Sequence, residues 1–170
     1  MNALTRNEAV GLDDAAPKVD FTLDGREVQA RAGETLIEVA DRLGVEIPRL
    51  CYKPGFEAVG NCRACVVEIA GERTLAPSCC RAPAPGMKVS TNSERAVRSQ
   101  KLVLELLQSD MPEADYTRHN EVDAWAARLG VGKPRFTPRE QPAPDLSHPA
   151  MAVHLDACIQ CTRCVRACRD

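Results

Sequence analysis

Aromatic residues are scarce: Phe, Tyr and Trp together make up 4% of the 170 residues, with a single Trp. A core must then be assembled from Leu, Val, Ile and Ala, and bound groups are left to add much of the local stability. A strong charge of either sign is missing as well. The formal net charge is −2 and the pI about 6.0, which offers no global basis for binding nucleic acid. No apolar run approaches the ~18 residues of a membrane span. Met1 to Pro17 has no apolar signal region and carries Glu8, Asp13 and Asp14. These absences predict a cytoplasmic protein with neither membrane nor nucleic acid as partner. Thiols stay reduced in that compartment, so cysteines in ordered motifs point to metal ligation rather than disulfides. An odd count of nine cysteines also argues against a fully paired disulfide framework.

What is abundant is cysteine, in two groups. The first reads Cys51-x10-Cys62-x2-Cys65-x13-Cys79, with Cys80 adjacent, and the second Cys158-x2-Cys161-x2-Cys164-x3-Cys168. Both are thiolate arrays of the iron–sulfur kind. A [2Fe–2S] cluster needs two terminal thiolates per iron. The spacing suggests Cys62 and Cys65 on one iron, with Cys51 and Cys79 on the other. Cys80 competes with Cys79 for the last place, and Cys79 is preferred. Gly55, Gly60 and Asn61 in the intervening loop allow backbone N–H groups to approach the sulfurs, which raises the reduction potential. The same four thiolates would also suit a zinc ion. The long first spacing and the run Gly60-Asn61-Cys62-Arg63-Ala64-Cys65 favour iron and sulfide.

In the second group Cys158, Cys161 and Cys164 suit three irons of a [4Fe–4S] cubane, while Cys168 points to a second cubane, as in two-cluster ferredoxins. The sequence lacks the fourth ligand of the first cubane and the three companions of Cys168. It therefore reads as a piece of a longer protein. Arg163, Arg166 and Arg169 flank these cysteines, either to offset cluster charge and assist docking or simply as a solvated helix face.

Elsewhere the patterning is mixed. Val19 to Leu23 alternates apolar and polar residues like a half-buried strand, and Asp24-Gly25 signals a hairpin with Glu27 to Arg31 returning. Leu36, Val39, Ala40 and Leu43 recur at helical spacing before Gly44. Val66 to Ile69, Arg73 to Ala76 and Met87 to Ser90 read as short strands. Together these predict an α+β fold, a ubiquitin-like β-grasp sheet packed on one helix. Ser93 caps a second helix, with Val97, Lys101, Leu104 and Leu107 along one side and Leu102, Val103 and Leu106 widening its apolar surface. Asn120 to Leu129 is a third helix, ended by Gly130. Five prolines between residues 131 and 149 mark an extended connector. The expected organisation is an extension over 1–17, a [2Fe–2S] domain over 18–92, a helical and Pro-rich connector over 93–149, and the first half of a two-[4Fe–4S] ferredoxin module over 150–170.

The stretches Leu50-Cys51-Tyr52, Gly60 to Cys65 and Ala76-Pro77-Ser78-Cys79 resemble the N-terminal [2Fe–2S] domain of three groups. These are the large iron–sulfur subunit of respiratory complex I, the diaphorase and [FeFe] classes of hydrogenase, and NAD-dependent formate dehydrogenase alpha subunits. The resemblance covers residues 19 to 170. Complex I and hydrogenase relatives place a histidine and three close cysteines after this domain, forming a further [4Fe–4S] site. No cysteine lies between Cys80 and Cys158, and His119 has no thiolate companions. The run Leu106 to Pro112, Trp125, the Pro-rich stretch and Ser147 to Val153 resemble formate dehydrogenase alpha subunits most, with no metal role for His148. That resemblance implies an oxidoreductase whose catalytic centre lies outside this sequence. It further implies a molybdopterin guanine dinucleotide carrying molybdenum or tungsten in a downstream domain, and electron flow through the clusters. The implied partners are an FMN- and NAD-binding beta subunit and a small [2Fe–2S] gamma subunit. No catalytic residue is expected within the sequence itself.

Overall fold

Asp24 and Gly25, with φ of 48° and 81°, make the two-residue turn that the sequence signals. They join β1 (Val19–Leu23) to β2 (Arg26–Ala30) in an antiparallel hairpin whose register closes at Leu23 opposite Arg26. The computed structural model describes residues 18–112 and 119–169. The expected extension over 1–17 and the stretch Glu113-Ala114-Asp115 lie outside the described residues.

The sheet is completed by β3 (Val66–Ile69), β4 (Ala76–Pro77) and β5 (Lys88–Ser90), in the order β2-β1-β5-β3-β4. β5 runs parallel to β1 and antiparallel to β3. The strand returning from β3 is shorter and later than Arg73 to Ala76, since only Ala76 and Pro77 pair with Val67 and Val66. Pro77 has no N–H to give, which is tolerated because β4 lies at the sheet edge.

Helix α1 (Leu36–Arg42) begins at Thr35, whose amide and hydroxyl both donate to the Glu38 carboxylate at 2.7 and 2.8 Å. Its Leu36, Ile37, Val39 and Ala40 are fully buried against Phe21, Leu23, Val67, Ile69 and Val89. This aliphatic core is the one anticipated from the scarcity of aromatics, and it gives a mixed α+β unit of one helix on a five-stranded sheet.

Helix α2 (Glu94–Ser109) is capped by Ser93 Oγ, which accepts from the Ala96 amide at 3.2 Å. Its buried stripe is Ala96, Gln100 and Leu104, whereas Leu102 and Leu106 are exposed. The apolar side read from sequence is therefore rotated, and the reason is polar. Gln100 sits at the helix–sheet contact and donates to Val66 O at 2.8 Å, a bond that apolar periodicity does not register. Helix α3 (Glu121–Leu129) has Asn120 as its cap and left-handed Gly130 at its end. It packs on α2 in a second core of Leu50, Ala64, Leu104, Val122 and Ala126, with Ile159 and Trp125 at its margin.

The connector contains one element the sequence hides. β6 (Asp145–His148) and β7 (Met151–Val153) form an antiparallel hairpin in which every residue is exposed. It straddles the expected boundary at 149/150. Pro144 before it, Pro149 in its turn and the absence of a buried face mask its strand character. Short helix α4 (Arg163–Arg169) closes the described chain.

The position of Gln100 generates a stability prediction. Gln100→Ala strands the Val66 carbonyl and should cost about 1–3 kcal/mol, read as a lower urea midpoint at unchanged slope. Leu102→Ser, on the exposed side, should stay within about 0.5 kcal/mol of the parent.

Candidate metal centres

The first centre is built from three places in the fold. Arg49 forms a two-pronged ion pair with Asp41 near the end of α1, at 2.5 and 2.6 Å, and so delivers the chain to Cys51 in a fixed position. Cys65 enters β3, and Cys79 leaves its edge partner β4. Ser78 ties those two ends together: its amide and hydroxyl both donate to Cys65 O, at 3.1 and 2.7 Å. Cys51, Cys65 and Cys79 are buried and Cys62 is half-buried.

The four sulfurs lie in a chain of contacts, Cys62 to Cys51, Cys51 to Cys79 and Cys79 to Cys65. Cys65 and Cys79 lie Sγ to Sγ at 3.5 Å. Cys51 and Cys62 exchange amide bonds, with the Cys51 N–H donating to Cys62 Sγ at 3.5 Å and the Cys62 N–H to Cys51 Sγ at 3.4 Å. Cys62 therefore faces Cys51 rather than Cys65, although only two residues separate it from Cys65. Arg63, left-handed at φ 58°, breaks the turn between them.

Crowding perturbs all four thiols. Hydrogen bonds from Cys62 and Cys79 draw Cys51 strongly down towards the thiolate. Cys79 likewise lowers Cys65 to about 6. The donors are pushed the other way: Cys62 by its bond to Cys51 and by burial, Cys79 by its bonds to Cys51 and Cys65 and by burial. The thiolate is the form that binds metal.

Cys80 is exposed, and its sulfur lies 3.6 Å from Cys79 Sγ. It also lies against Gly60, where a Cβ would meet it at 3.0 Å. The close approach that Gly60 permits is therefore to Cys80, not to one of the four gathered sulfurs.

The second group is laid out along a loop and a helix. Gln160 and Thr162 are both left-handed, at φ 54° and 60°, so the chain doubles back twice between Cys158 and α4. Cys164 and Cys168 share one side of α4 at i and i+4. Cys158, Cys164 and Cys168 are exposed and Cys161 is half-buried. Among the described residues, no three Cys, His, Asp or Glu side chains converge on a single-ion position. The first group instead is a chain of four sulfurs in contact.

His119 is exposed, and His148 Nδ1 accepts the Ala150 amide at 3.1 Å within the hairpin turn. Of the flanking arginines, only Arg169 is solvated. Arg166 is 1% exposed, and Arg163 donates to Leu50 O at 3.1 Å. Asn61 Nδ2 donates to Gln160 O at 2.7 Å, so the loop of the first group touches the loop of the second. Sequence reasoning missed this junction. Its one signal is the placement of Arg163 and Arg166 on turns of α4 away from the side that Cys164 and Cys168 share.

Residues 16–94 match the 2Fe-2S iron-sulfur cluster binding domain. The chain is 34% identical over 160 residues to the mitochondrial NADH-ubiquinone oxidoreductase 78 kDa subunit of Neurospora crassa, covering 90% of this chain and 22% of that protein. It is 35% identical over 166 residues to the NADP-reducing hydrogenase subunit HndD of Solidesulfovibrio fructosivorans, covering 87% and 27%. Among solved structures it is similar to an NAD+-reducing [NiFe]-hydrogenase in the H2-reduced state, with a TM-score of 0.75 and 32% identity over 88% of this chain and 65% of that one. The chain spans about a fifth to a quarter of the length of these curated relatives. It is homologous to iron–sulfur subunits of oxidoreductases, and its N-terminal half carries the 2Fe-2S domain.

The burial difference between adjacent cysteines predicts a sharp contrast. Cys80→Ser should retain the visible absorbance and acid-labile sulfide of a [2Fe–2S] protein. Cys79→Ser should lose most of both when the two are purified side by side without oxygen.

Proposed function

We propose that this chain is the electron-relay portion of an NAD(P)-linked oxidoreductase complex. In it Cys51 and Cys62 hold one iron of a [2Fe–2S] cluster, and Cys65 and Cys79 hold the other. Four sulfurs gathered in contact, Cys62 against Cys51 and Cys79 against Cys65, carry this reading, because two irons with two thiolates each need four converging sulfurs. The bound cluster supplies one-electron transfer. The chain's own residues hold the sulfurs, exclude water with Tyr52 and the α1 core, and aim the Cys51 and Cys62 amides at sulfur. Such N–H···S bonds favour the reduced, more negative state.

Cys158, Cys161 and Cys164 are the proposed ligands of a [4Fe–4S] cubane, and Cys168 that of a second. Left-handed Gln160 and Thr162 support this, since they turn the chain sharply between Cys158, Cys161 and the first turn of α4, which carries Cys164. The division into a β-grasp [2Fe–2S] domain over 18–92, a connector over 93–149 and a ferredoxin-type segment over 150–170 belongs to the same proposal. So does a cytoplasmic setting. Among the described residues, no helix is long and apolar enough to cross a membrane.

The names of the relatives favour an NADH dehydrogenase or hydrogenase complex as the host, with an NADH- or NADP-linked subunit as partner. One observation favours the formate dehydrogenase alternative: no cysteine lies between Cys80 and Cys158 to build the further cubane expected of those relatives. On that second reading the catalytic centre is a molybdenum or tungsten pterin outside this chain, and the beta and gamma subunits are the partners.

Metal analysis separates the classes. Anaerobically purified protein should contain iron and acid-labile sulfide and give an EPR signal on reduction. Stoichiometric zinc without sulfide would overturn the redox reading in favour of a zinc-held binding module. Molybdenum or tungsten in the native complex, with formate-dependent NAD reduction, would select formate dehydrogenase. Their absence from an active NADH- or hydrogen-oxidising complex would exclude it.

A further inference from the structure

Arg166 occupies an unusual place for a guanidinium. It is 1% exposed, on a helix whose other residues are mostly at the surface. Its Nη1 donates to Glu57 O at 2.7 Å. Its Nη2 donates to Cys51 O and, at 3.2 Å, to Cys161 O. Its Nε donates to Thr162 Oγ1 at 3.3 Å, and its plane lies over the Phe56 ring at 5.7 Å. One side chain therefore bonds a backbone carbonyl in each cysteine group.

Every acceptor it meets is neutral. Burying a cation among carbonyls and an aromatic face satisfies its hydrogen bonds but leaves its charge uncompensated, which is costly unless an anion stands close by. The Glu57 carboxylate is exposed and faces Arg169 at 3.7 Å, which leaves the sulfurs of the two proposed clusters as the charge for Arg166 to offset. Cys51 and Cys161 are the residues whose carbonyls Arg166 grips, and both belong to the two proposed cluster sites. Arg163 and Arg169 differ. Arg163 is ion-paired with Glu121, and Arg169 is largely exposed with Glu57 at 3.7 Å.

We propose that Arg166 is a positioning residue between the two centres. It latches the second cysteine loop onto the loop of the first, and its buried charge raises the reduction potential of the [2Fe–2S] cluster. This rests on the electron-relay reading. The charge acts because each reduction adds one electron to a cluster already negative, and a fixed cation at close range stabilises that added charge in a low-dielectric setting. No proton accompanies the electron at Arg166, since a guanidinium stays protonated throughout. The Asn61 contact with Gln160 and the Arg163 contact with Leu50 brace the same junction. The separation of the two sites is thereby set by bonds rather than by a free linker.

The experiment is an EPR-monitored redox titration of the [2Fe–2S] signal in the full chain, run on the parent, Arg166→Gln, Arg166→Lys and Arg169→Gln. Arg166→Gln should keep its iron and sulfide but titrate at a lower midpoint. Hydrogen exchange at amides 51–57 and 159–166 should also rise in that variant. Arg166→Lys keeps the charge with fewer bonds, so it should hold the parent midpoint while exchange still rises. Arg169→Gln removes an exposed, paired charge and should leave the midpoint unmoved. An Arg166→Gln midpoint equal to the parent, with cluster content intact, overturns the inference alone. An Arg166→Lys midpoint clearly below the parent's does the same, by showing that charge is not what acts, and it decides the matter even if Arg166→Gln fails to fold. A parent chain holding zinc and no sulfide overturns the inference together with the reading beneath it.

Discussion

Four sulfurs held together away from water form the constraint to which the rest of this structure answers. Each needs an anchor strong enough to resist the crowding of its neighbours. The anchors are of different kinds: an Arg49–Asp41 ion pair behind Cys51, a strand pair bridged by Ser78 behind Cys65 and Cys79, and reciprocal amide–sulfur bonds between Cys51 and Cys62. Crowding splits the thiols into acceptors drawn down and donors pushed up. Binding a metal requires these thiols to lose their protons, so metallation and the folding of this region are coupled.

The rest of the described chain extends outward from that site through polar joints set among apolar surfaces. Gln100 ties α2 to β3 beside the residue that follows Cys65. The second core then seats α3 on α2 and brings Leu50 and Ala64, neighbours of Cys51 and Cys65, into contact with Ile159 of the second group. Arg166 completes the path from the other side. Apolar packing supplies the area of contact, while these directional bonds fix which atoms face each other. A relay depends on that, because the separation and orientation of its centres must not drift.

Much of this was legible in the sequence wherever a local rule was enough. Asp24-Gly25 announced its hairpin because a two-residue turn needs two left-handed residues. Ser93, Asn120 and Gly130 marked helix ends because capping is decided within one turn of chain. Cysteine spacing proposed a donor set with Cys79 preferred to Cys80, and the two differ in burial, Cys79 being buried and Cys80 exposed. Legibility failed wherever a distant partner decided the outcome. β4 begins later than its residues suggest because Val66 and Val67 choose what they pair with. The hairpin over 145–153 has no buried face to give its strands an apolar alternation. Gln100, a polar residue, defines the buried side of a helix whose apolar residues pointed elsewhere.

What the sequence determined by itself is an inventory with local geometry: which thiols are available, in what order, and which turns and caps flank them. Spacing along a chain constrains neighbours within a few residues and little beyond. Only the tertiary structure decided that Cys62 faces Cys51 across ten intervening residues rather than Cys65 across two. Only it placed β5 between β1 and β3, and turned Arg166 from a surface charge into a buried clasp between two cysteine groups. Those outcomes depend on which backbone carbonyls and sulfurs come within bonding distance after collapse, and burial is a property of the assembled surfaces, not of the residue.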